Sequence, residues 1–340
     1  MKILITGTCG FIGYSLAESL LKKNNIVYGI DNLNDYYSVS IKKLRLKNLK
    51  QNKNFIFKKI DISNRNLFFK FFRKKKIDII FNFAAQAGVR YSLIKPDSYF
   101  FSNLIGFLNI CDLAKSLKVK KVFFASSSSV YGDAKKYPVK ESFDLNPKNI
   151  YGLTKKMNEI SAKTLSLDGK IKFIGLRFFT VFGEWGRPDM MLFKVMESYQ
   201  KNLFFYLNDS GKHFRDFTYI QDVVSILNKL IKVNFKNNFQ LFNVCSNRPI
   251  KVIKIINEMQ NNLKGLKIKN VNPKILKKIE VNKTHGDNKK ILNLMKEQKI
   301  EFEVKETPMF LDNRQSFNEF CGDKKFILQA NYYKKMRKRL

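Results

Sequence analysis

The first 180 residues alternate short apolar runs with longer stretches in which apolar positions recur every three to four residues. Such alternation is typical of parallel strands joined by crossover helices. The predicted strands are 2–6, 25–30, 55–60, 77–85, 120–127 and 171–178, and the predicted helices lie near 12–23, 41–50, 63–75, 97–117 and 149–167. We therefore expect an α/β fold, a Rossmann-like doubly wound parallel sheet that binds its ligand beyond the carboxyl ends of the strands.

Beyond residue 178 the alternation becomes irregular, although "FTYIQDVVSILNKLIKV" (217–233) still predicts one strand followed by a helix. We predict a Rossmann domain over 1–178 to which 215–250 returns, a smaller C-terminal substrate-binding lobe formed by 179–214 and 251–300, and a divergent basic tail over 301–340. A chain of 340 residues is long enough for these units.

The charge of the chain adds little to this picture. The formal net charge is +36, but the lysines are spread through nearly every segment instead of forming a patch. No helix-turn-helix, zinc-finger or RNA-recognition pattern accompanies them. We therefore expect no nucleic-acid partner, and an anionic small-molecule substrate fits the charge equally well.

The cysteines and the apolar runs indicate the compartment. Cys9, Cys111, Cys245 and Cys321 lie far apart without a CxxC pair, and the two histidines have no metal-ligand spacing, so no metal is expected. The N-terminal "MKILITG" runs directly into a strand, and no apolar run approaches the roughly 18 residues of a spanning helix. We expect a soluble cytoplasmic protein with no membrane partner.

The stretch "GTCGFIG" places Gly7, Gly10 and Gly13 at three-residue spacing between a predicted strand and a predicted helix. Glycine there allows a tight turn and lets backbone N–H groups approach a pyrophosphate. Asp31 ends the second strand, where a carboxylate accepts hydrogen bonds from an adenosine ribose and repels a 2′-phosphate. The combination predicts NAD as the cofactor. The alternative is a glycine turn and a helix-capping Asp31 without a ligand, and Asp61 after the third strand equally either meets the adenine or caps a helix.

The stretch "YGLTK" places the phenol of Tyr151 and the ammonium of Lys155 on one helical face. Lowering a tyrosine pKa from about 10 to about 7 requires ~4 kcal/mol, which a neighbouring ammonium and a positive nicotinamide ring can supply. Ser127 and Ser128 stand at the carboxyl end of the fifth strand and are expected to direct hydroxyls into the same crevice. Each feature alone also occurs on ordinary helices and turns, but together they predict an acid–base site.

At this point the sequence resembles the extended short-chain dehydrogenase/reductases, the NAD-dependent epimerase/dehydratase family, and within it the UDP-glucuronate 4-epimerases. The resemblance rests on "GTCGFIG", "GIDNLNDYYSVSIKKLRL", "NFAAQAGVRYSL", "SNLIGFLNI", "ASSSSVYG", "YGLTKKMNE", "LRFFTVFGEWGRPDM" and "GKHFRDFTYIQDV". It covers residues 1–250 densely and 251–295 thinly. It implies NAD-dependent 4-epimerisation of a UDP-sugar, UDP-glucuronate to UDP-galacturonate, through a transient 4-keto intermediate.

The resemblance also implies roles for individual residues. Tyr151 takes the proton of the sugar 4′-hydroxyl while NAD⁺ takes the C4′ hydride, Lys155 holds the nicotinamide ribose, and Ser127 or Ser128 bridges the sugar and the phenol. The implied cofactor-binding residues are Gly7, Gly10, Phe11, Ile12, Gly13, Asp31, Asn32, Asp61, Ile62, Ala84, Ala85, Asn103, Tyr151 and Lys155. Asn103 is expected to support the strand end that carries "AAQAG" (84–88).

Four residues are implied in substrate binding. Arg215 in "FRDF" resembles the arginine that grips the UDP diphosphate, and Arg90 belongs to the same set. Arg187 in "WGRPDM", with Thr180 and the serine cluster, is implied to hold the uronate carboxylate. Oxidation at C4′ makes that uronate a β-keto acid that tends to lose CO₂, so its orientation must disfavour cleavage.

Three alternatives remain open. A UDP-glucuronate decarboxylase usually carries an acid in Thr-x-Glu-Val-Tyr-Gly, where this chain has "SSSSVYG". A UDP-glucose or UDP-N-acetylhexosamine 4-epimerase usually has Asn at the position of Thr180. A non-catalytic NAD-binding regulatory protein commonly lacks the tyrosine or the lysine, and both are present here.

The chain departs from the family in its C-terminal third. Thr284 and Asp287 match the family's Thr-x-Ala-Asp, but the preceding Pro-Gly-Asp is replaced by "KKIE" (277–280), which puts closure of the nucleotide site in question. The helices near 97–117 and 149–167 resemble the pair through which relatives dimerise. A homodimer is therefore expected.

Overall fold

The structure is a computed structural model that describes residues 1–300, so the predicted basic tail and Cys321 lie outside the described residues. The strands are β1 Lys2–Thr6, β2 Ile26–Asp31, β3 Phe55–Lys59, β4 Ile79–Asn82, β5 Lys121–Ser127, β6 Lys172–Phe178, β7 Thr180–Phe182, β8 Phe205–Asn208, β9 Phe214–Tyr219, β10 Phe239–Val244, β11 Pro249–Lys251 and β12 Ile268–Val271. The helices are α1 Phe11–Lys22, α2 Val39–Leu49, α3 Arg65–Phe72, α4 Pro96–Tyr99, α5 Gly106–Ser116, α6 Ile150–Leu165, α7 Met191–Gln200, α8 Ile220–Leu230, α9 Val252–Asn262, α10 Lys274–Ile279 and α11 Lys289–Glu297.

A seven-stranded sheet in the order β10-β6-β5-β4-β1-β2-β3 forms the centre of the molecule, and every neighbouring pair in it is parallel. The strand order reverses between β1 and β4, which is the point at which doubly wound sheets bind their ligands. The predicted Rossmann-like fold is confirmed.

Both faces of this sheet are covered. Successive residues of a strand point to opposite faces, so Ile3 and Ile5 of β1 pack in one core and Leu4 packs in the other. Helices α1, α8 and α11 contribute to the first core, and α3, α5 and α6 contribute to the second. Burial on both faces explains why these strands are almost continuous apolar runs.

The predicted elements differ from the structure mainly at their ends. The strand expected over 77–85 is only β4, because the chain leaves the sheet after Asn82 and 83–89 form an irregular segment. The helix expected over 97–117 consists of α4, a π-helical segment Phe100–Ile105 and α5 without a break. Among the described residues, no helix has the length and apolar character that crossing a membrane requires.

Two small sheets lie outside the large one, in the orders β11-β9-β7 and β12-β8. Around them a separate core includes Leu192 and Val195 of α7 and Ile255 and Met259 of α9. We propose that this core marks the smaller lobe. Its boundary differs from the predicted one, because β9 pairs within the small sheet, whereas α11 packs against the large sheet's core.

Candidate active site

A cavity opens at the carboxyl ends of the large sheet's strands. Its walls come from the β1–α1 turn, the ends of β2 to β6, the first turns of α6 and the segment after β7. The predicted site residues that line it are Gly7, Gly10, Phe11, Ile12, Gly13, Asp31, Asn32, Asp61, Ile62, Ala84, Ala85, Ser127, Tyr151, Lys155 and Arg187. The predicted catalytic pair and the predicted cofactor turn therefore share one cavity.

The glycine turn is packed too tightly for side chains. Gly7 has φ 72°, and a Cβ built on it stands 2.8 Å from the backbone nitrogen of Ala84. A Cβ on Gly13 stands 2.2 Å from the Gly7 carbonyl oxygen. Gly10 caps α1 without a side-chain hydrogen bond, so the backbone N–H groups of the first helical turn remain available to an anion. This cradle fits the pyrophosphate of a dinucleotide.

Asp31 is held at the end of β2 by backbone donors. Its Oδ2 accepts a hydrogen bond of 2.9 Å from the Cys9 N–H, and its Oδ1 accepts one of 2.8 Å from the Leu33 N–H. Burial raises the pKa of this carboxyl, and the two backbone bonds and nearby cations oppose that shift. Helix α2 begins only at residue 39, so Asp31 does not cap it. Each oxygen keeps a lone pair that suits a ribose hydroxyl.

Asp61 lines the cavity beside Asn32, whose amide donates to Asp61 Oδ2 at 2.8 Å. Ser63 donates to Asp61 Oδ1 through both its N–H and its hydroxyl, at 2.9 and 2.7 Å. Burial raises the pKa of Asp61, but these hydrogen bonds outweigh it and lower the pKa. The cap of α3 is Asn64, which accepts from the Leu67 N–H, so the alternative of Asp61 as a helix cap is wrong.

Helix α6 places the predicted catalytic pair. Asn149 caps this helix by accepting from the Gly152 N–H at 2.8 Å, which fixes Tyr151 in the first turn. The ammonium of Lys155 lies 5.8 Å from the centre of the Tyr151 ring, and Lys155 is buried. The phenol and the ammonium thus face one cavity, as the spacing predicts.

The expected lowering of the tyrosine pKa does not appear in the protein itself. Burial raises the pKa of Tyr151, while the charge of Arg187 and a hydrogen bond with Ser127 oppose this rise. Burial also lowers the pKa of Lys155 to about 8. Desolvation therefore disfavours the charged form of each group.

The serines at the carboxyl end of β5 have different surroundings. Ser127 lines the cavity, and its hydroxyl accepts from the Ser129 N–H at 3.1 Å. Ser126 also lines the cavity, but its hydroxyl donates to Glu159 at 2.5 Å. Ser128 begins a 3-10 turn and is not among the residues that line the cavity. Of the two predicted serines, Ser127 is the one beside Tyr151.

Arg187 forms a two-pronged ion pair with Asp189, with Nε to Oδ1 at 3.0 Å and Nη2 to Oδ2 at 2.5 Å. Burial favours loss of its proton, but the ion pair outweighs this and raises the pKa of Arg187. Thr180 lies on β7 opposite Phe217 and outside the cavity wall, whereas its neighbour Val181 lines the cavity. Of the residues predicted to hold a carboxylate, Arg187 and Ser127 line the cavity and Thr180 does not.

Three more predicted residues lie outside the cavity wall because other groups engage them. The Asn103 amide holds the backbone of Gln86 at 2.8 and 3.1 Å, which matches the predicted support of the strand end. Arg90 pairs with Glu280 at 2.6 Å. Arg215 donates through Nη1 to the carbonyls of residues 214 and 282, at 2.9 and 3.3 Å. Direct cofactor or substrate contact by these residues stays a prediction.

Sequence reasoning missed several residues of the site. Tyr36 and Lys42 line the cavity, and Asp189 and Glu280 pair with predicted arginines. Tyr36 and Lys42 follow Asp31 within one recognised motif, and Asp189 stands two residues after Arg187, so a local signal existed for three of them. Nothing local marks Glu280.

The fold and the cavity define a dinucleotide-binding enzyme of the Rossmann type, with a tyrosine and a lysine of one helix lining the cavity. The model of the NAD dependent epimerase/dehydratase family matches residues 3–245. The chain therefore belongs to the NAD-dependent epimerase/dehydratase family. A second model, of deoxyribodipyrimidine photo-lyase-related proteins, matches residues 250–340, which is less than half of the chain. Family membership thus rests on the part that carries the cavity.

Individual relatives agree with this assignment. Protein CapI of Staphylococcus aureus is 39% identical over 280 residues, covering 77% of this chain and 84% of the relative. A probable UDP-glucuronate 4-epimerase of Rhizobium meliloti is 37% identical over 234 residues, covering 68% and 69%. The structure of UDP-glucuronic acid 4-epimerase from Bacillus cereus with UDP-glucuronic acid and NAD superposes with a TM-score of 0.80 and 28% identity, covering 87% of this chain and 93% of that one.

Proposed function

We propose that the protein catalyses the NAD-dependent 4-epimerisation of UDP-glucuronate to UDP-galacturonate. The observation that carries this proposal is one cavity that combines a dinucleotide cradle, the pair Tyr151 and Lys155, Ser127 and the carboxylate-binding candidate Arg187. The similarity to UDP-glucuronate 4-epimerases supports the choice of sugar.

The chain's own residues supply the proton chemistry and the binding. NAD, held at the glycine turn with Asp31 at its ribose, supplies a reversible hydride acceptor when it is bound. Tyr151 takes the proton of the sugar 4′-hydroxyl as the 4-keto sugar forms, and returns it after the sugar has turned over. Ser127 bridges the phenol and the hydroxyl. The Lys155 ammonium favours the tyrosinate because an adjacent positive charge stabilises it.

Epimerisation of a uronate requires that the 4-keto acid keeps its carboxyl group. Arg187 binds the carboxylate from the cavity wall through the Nη1 end of its guanidinium, because Asp189 already occupies Nε and Nη2. Beside Tyr151 the wall offers the Ser127 hydroxyl at the end of β5, whereas the lining carboxylates Asp31 and Asp61 stand at the ends of β2 and β3, which lie at least three strand positions, or about 14 Å, from β5. This arrangement supports epimerisation over decarboxylation.

We also propose that the protein is a cytoplasmic homodimer that serves polysaccharide biosynthesis. The apolar side chains of Phe101, Ile105, Leu153, Met157 and Ile160 are exposed on the π-helical segment and α6, at the spacing of one helical face each. Such paired faces suit a second copy of the chain. The free thiols of the described residues are all buried, which suits a reducing compartment.

A substrate panel tests the proposal. The purified protein is incubated with UDP-glucuronate, UDP-glucose or UDP-N-acetylglucosamine without added NAD, and the products are separated by chromatography. We expect UDP-galacturonate from the first substrate and little change in the others. A UDP-pentose product would favour the decarboxylase instead, and turnover of only the neutral sugars would refute the choice of uronate.

A further inference from the structure

The segment that carries Arg187 is hydrogen-bonded to α2. Arg45 of α2 is fully buried, and its Nη2 donates to the carbonyls of Trp185 and Gly186 at 2.5 and 3.1 Å. Its Nη1 donates to the carbonyl of Cys9 in the glycine turn at 2.8 Å. One guanidinium therefore links the cofactor turn to the residues directly before Arg187.

A second set of hydrogen bonds connects Tyr36 to the Arg187 side chain through Asp189. The Tyr36 hydroxyl donates to Asp189 Oδ2 at 2.9 Å, and the same carboxylate binds Arg187 with both oxygens. Tyr36 is itself confined, because its ring packs 4.9 Å from that of Tyr91, and a Cβ on Gly88 would stand only 2.0 Å from its hydroxyl. The hydroxyl has little freedom to leave Asp189.

This arrangement fixes the guanidinium of Arg187 in one orientation. Asp189 uses the Nε and Nη2 side of the fork, which leaves the Nη1 end for another acceptor. An arginine side chain loses rotamer entropy when it is ordered, and here the protein orders Arg187 before substrate arrives. Both Arg187 and Asp189 are largely buried, with side chains 24% and 20% exposed, so water screens the pair weakly.

We propose that Tyr36 and Asp189 are positioning residues that hold Arg187 for a substrate carboxylate and so determine the preference for an acidic over a neutral UDP-sugar. This inference rests on the proposed function and extends it to residues outside the acid–base machinery. Without Asp189 the guanidinium loses its anchor, and the carboxylate loses a pre-formed partner. A neutral sugar presents no carboxylate to Arg187, so its binding depends little on this anchor.

The test compares affinities, so it does not require turnover. In the Tyr151→Phe background, calorimetry gives the dissociation constants of UDP-glucuronate and UDP-glucose for the NAD-loaded protein and its variants. We expect Asp189→Asn to reduce the preference for UDP-glucuronate about tenfold, as loss of a charge-assisted contact does, and Tyr36→Phe to reduce it about threefold. A defect that is only structural would weaken both ligands alike and leave the ratio unchanged.

Glu18→Gln is the matched control. Glu18 also accepts from a tyrosine, the Tyr14 hydroxyl at 3.2 Å, and pairs with a cation, Lys22 at 3.3 Å, but it lies on the outer face of α1. This variant should keep the wild-type preference. If Asp189→Asn does not fold, shown by a collapsed melting temperature and lost NAD, Tyr36→Phe carries the test alone.

The outcomes separate this inference from the proposed function. A wild-type preference for UDP-glucuronate that Asp189→Asn and Tyr36→Phe leave intact overturns the inference and leaves the function standing. No wild-type preference refutes the uronate assignment, and the inference falls with it. A preference that the two variants lose and Glu18→Gln keeps supports both.

Discussion

Burial in the cavity wall shifts the pKa values of both Tyr151 and Lys155. Their spacing predicted a shared face, and the structure confirms it, but burial shifts each pKa away from the charged form. The site therefore depends on charges around the phenol, of which Arg187 is one. A buried tyrosine needs neighbouring charges and hydrogen bonds that lower its pKa before it can act as an acid–base group.

We predict that Tyr151→Phe lowers turnover by about 10² to 10⁴, the range expected for loss of a general acid–base group, while NAD stays bound. Steady-state rates and the cofactor content of the purified variant measure this. Tyr199→Phe, on the partly exposed surface of α7, is the control and should keep the wild-type rate. A Tyr151→Phe enzyme at near-native rate would refute the mechanism.

A second residue-scale prediction concerns the pH dependence of stability. Burial lowers the pKa of Lys155 from 10.5 to about 8, so the unfolded chain binds the extra proton between those values. The free energy of unfolding should therefore rise with pH through this window, by about 3 kcal/mol in total. Lys155→Met should lack this rise, and urea unfolding of the cofactor-free proteins at pH 7 and pH 10 measures it. Parallel pH profiles in the two proteins would contradict the prediction.

Among the elements, α6 is bound to the large sheet by the buried ion pair of Glu159 and Arg177. Glu159 of α6 accepts from Arg177 of β6 at 2.9 and 2.7 Å, and also from Ser126 at the end of β5. Arg177 continues the network to the Tyr131 hydroxyl at 2.7 Å. The helix that carries Tyr151 is thus fixed to the strand that carries Ser127.

We predict that Arg177→Met destabilises the protein by about 3 to 5 kcal/mol, because it leaves the Glu159 carboxylate buried without its cation. The double variant with Glu159→Met should recover part of this loss, since neither charge then remains in the core. Urea unfolding measures both variants. Glu18→Gln removes an exposed pair and should cost less than about 1 kcal/mol. A single variant as stable as the double one would contradict this account.

At the element scale the sequence predicted most of the large sheet. Five strands, β1, β2, β3, β5 and β6, were found within one residue at each end, because continuous apolar runs mark buried strands. The prediction extended β4 by two and three residues and did not include β10. The C-terminal segment was harder. The "KKIE" stretch belongs to α10 and its end, and Glu280 pairs with Arg90, a contact 190 residues away in the chain. The Tyr36–Asp189 bond joins residues 153 apart, and local patterns carry no sign of either contact.

Thr284 and Asp287, which match a family motif, take structural tasks in this chain. The Thr284 hydroxyl accepts from the N–H of Asp216 at 3.0 Å, and Asp287 accepts from the N–H of Lys289 at 2.8 Å, just before α11. These contacts join the segment after α10 to β9 and α11. The motif could be recognised from the sequence, but its partners depend on tertiary packing.

At the scale of the whole molecule, the exposed apolar faces of the π-helical segment and α6 form the interface that we propose for the homodimer. We predict that Phe101→Glu with Ile160→Glu gives a monomer in sedimentation velocity, because two charges would then be buried in the interface. These side chains are 62% and 56% exposed in the single chain. Leu203→Glu, equally exposed on the small lobe, should leave the dimer intact. A wild-type monomer, or a dimer that survives the double variant, would contradict the proposed interface.

We propose that the hydrogen at C4′ leaves and returns to the same carbon within one cavity. The most direct test follows UDP-glucuronate in D₂O by proton NMR, with purified protein and no added NAD. We predict a growing set of UDP-galacturonate signals that reaches a stable mixture and keeps a full H4 resonance, because the hydrogen never exchanges with solvent. Deuterium at C4, a UDP-pentose product, or no reaction even with added NAD would contradict the account.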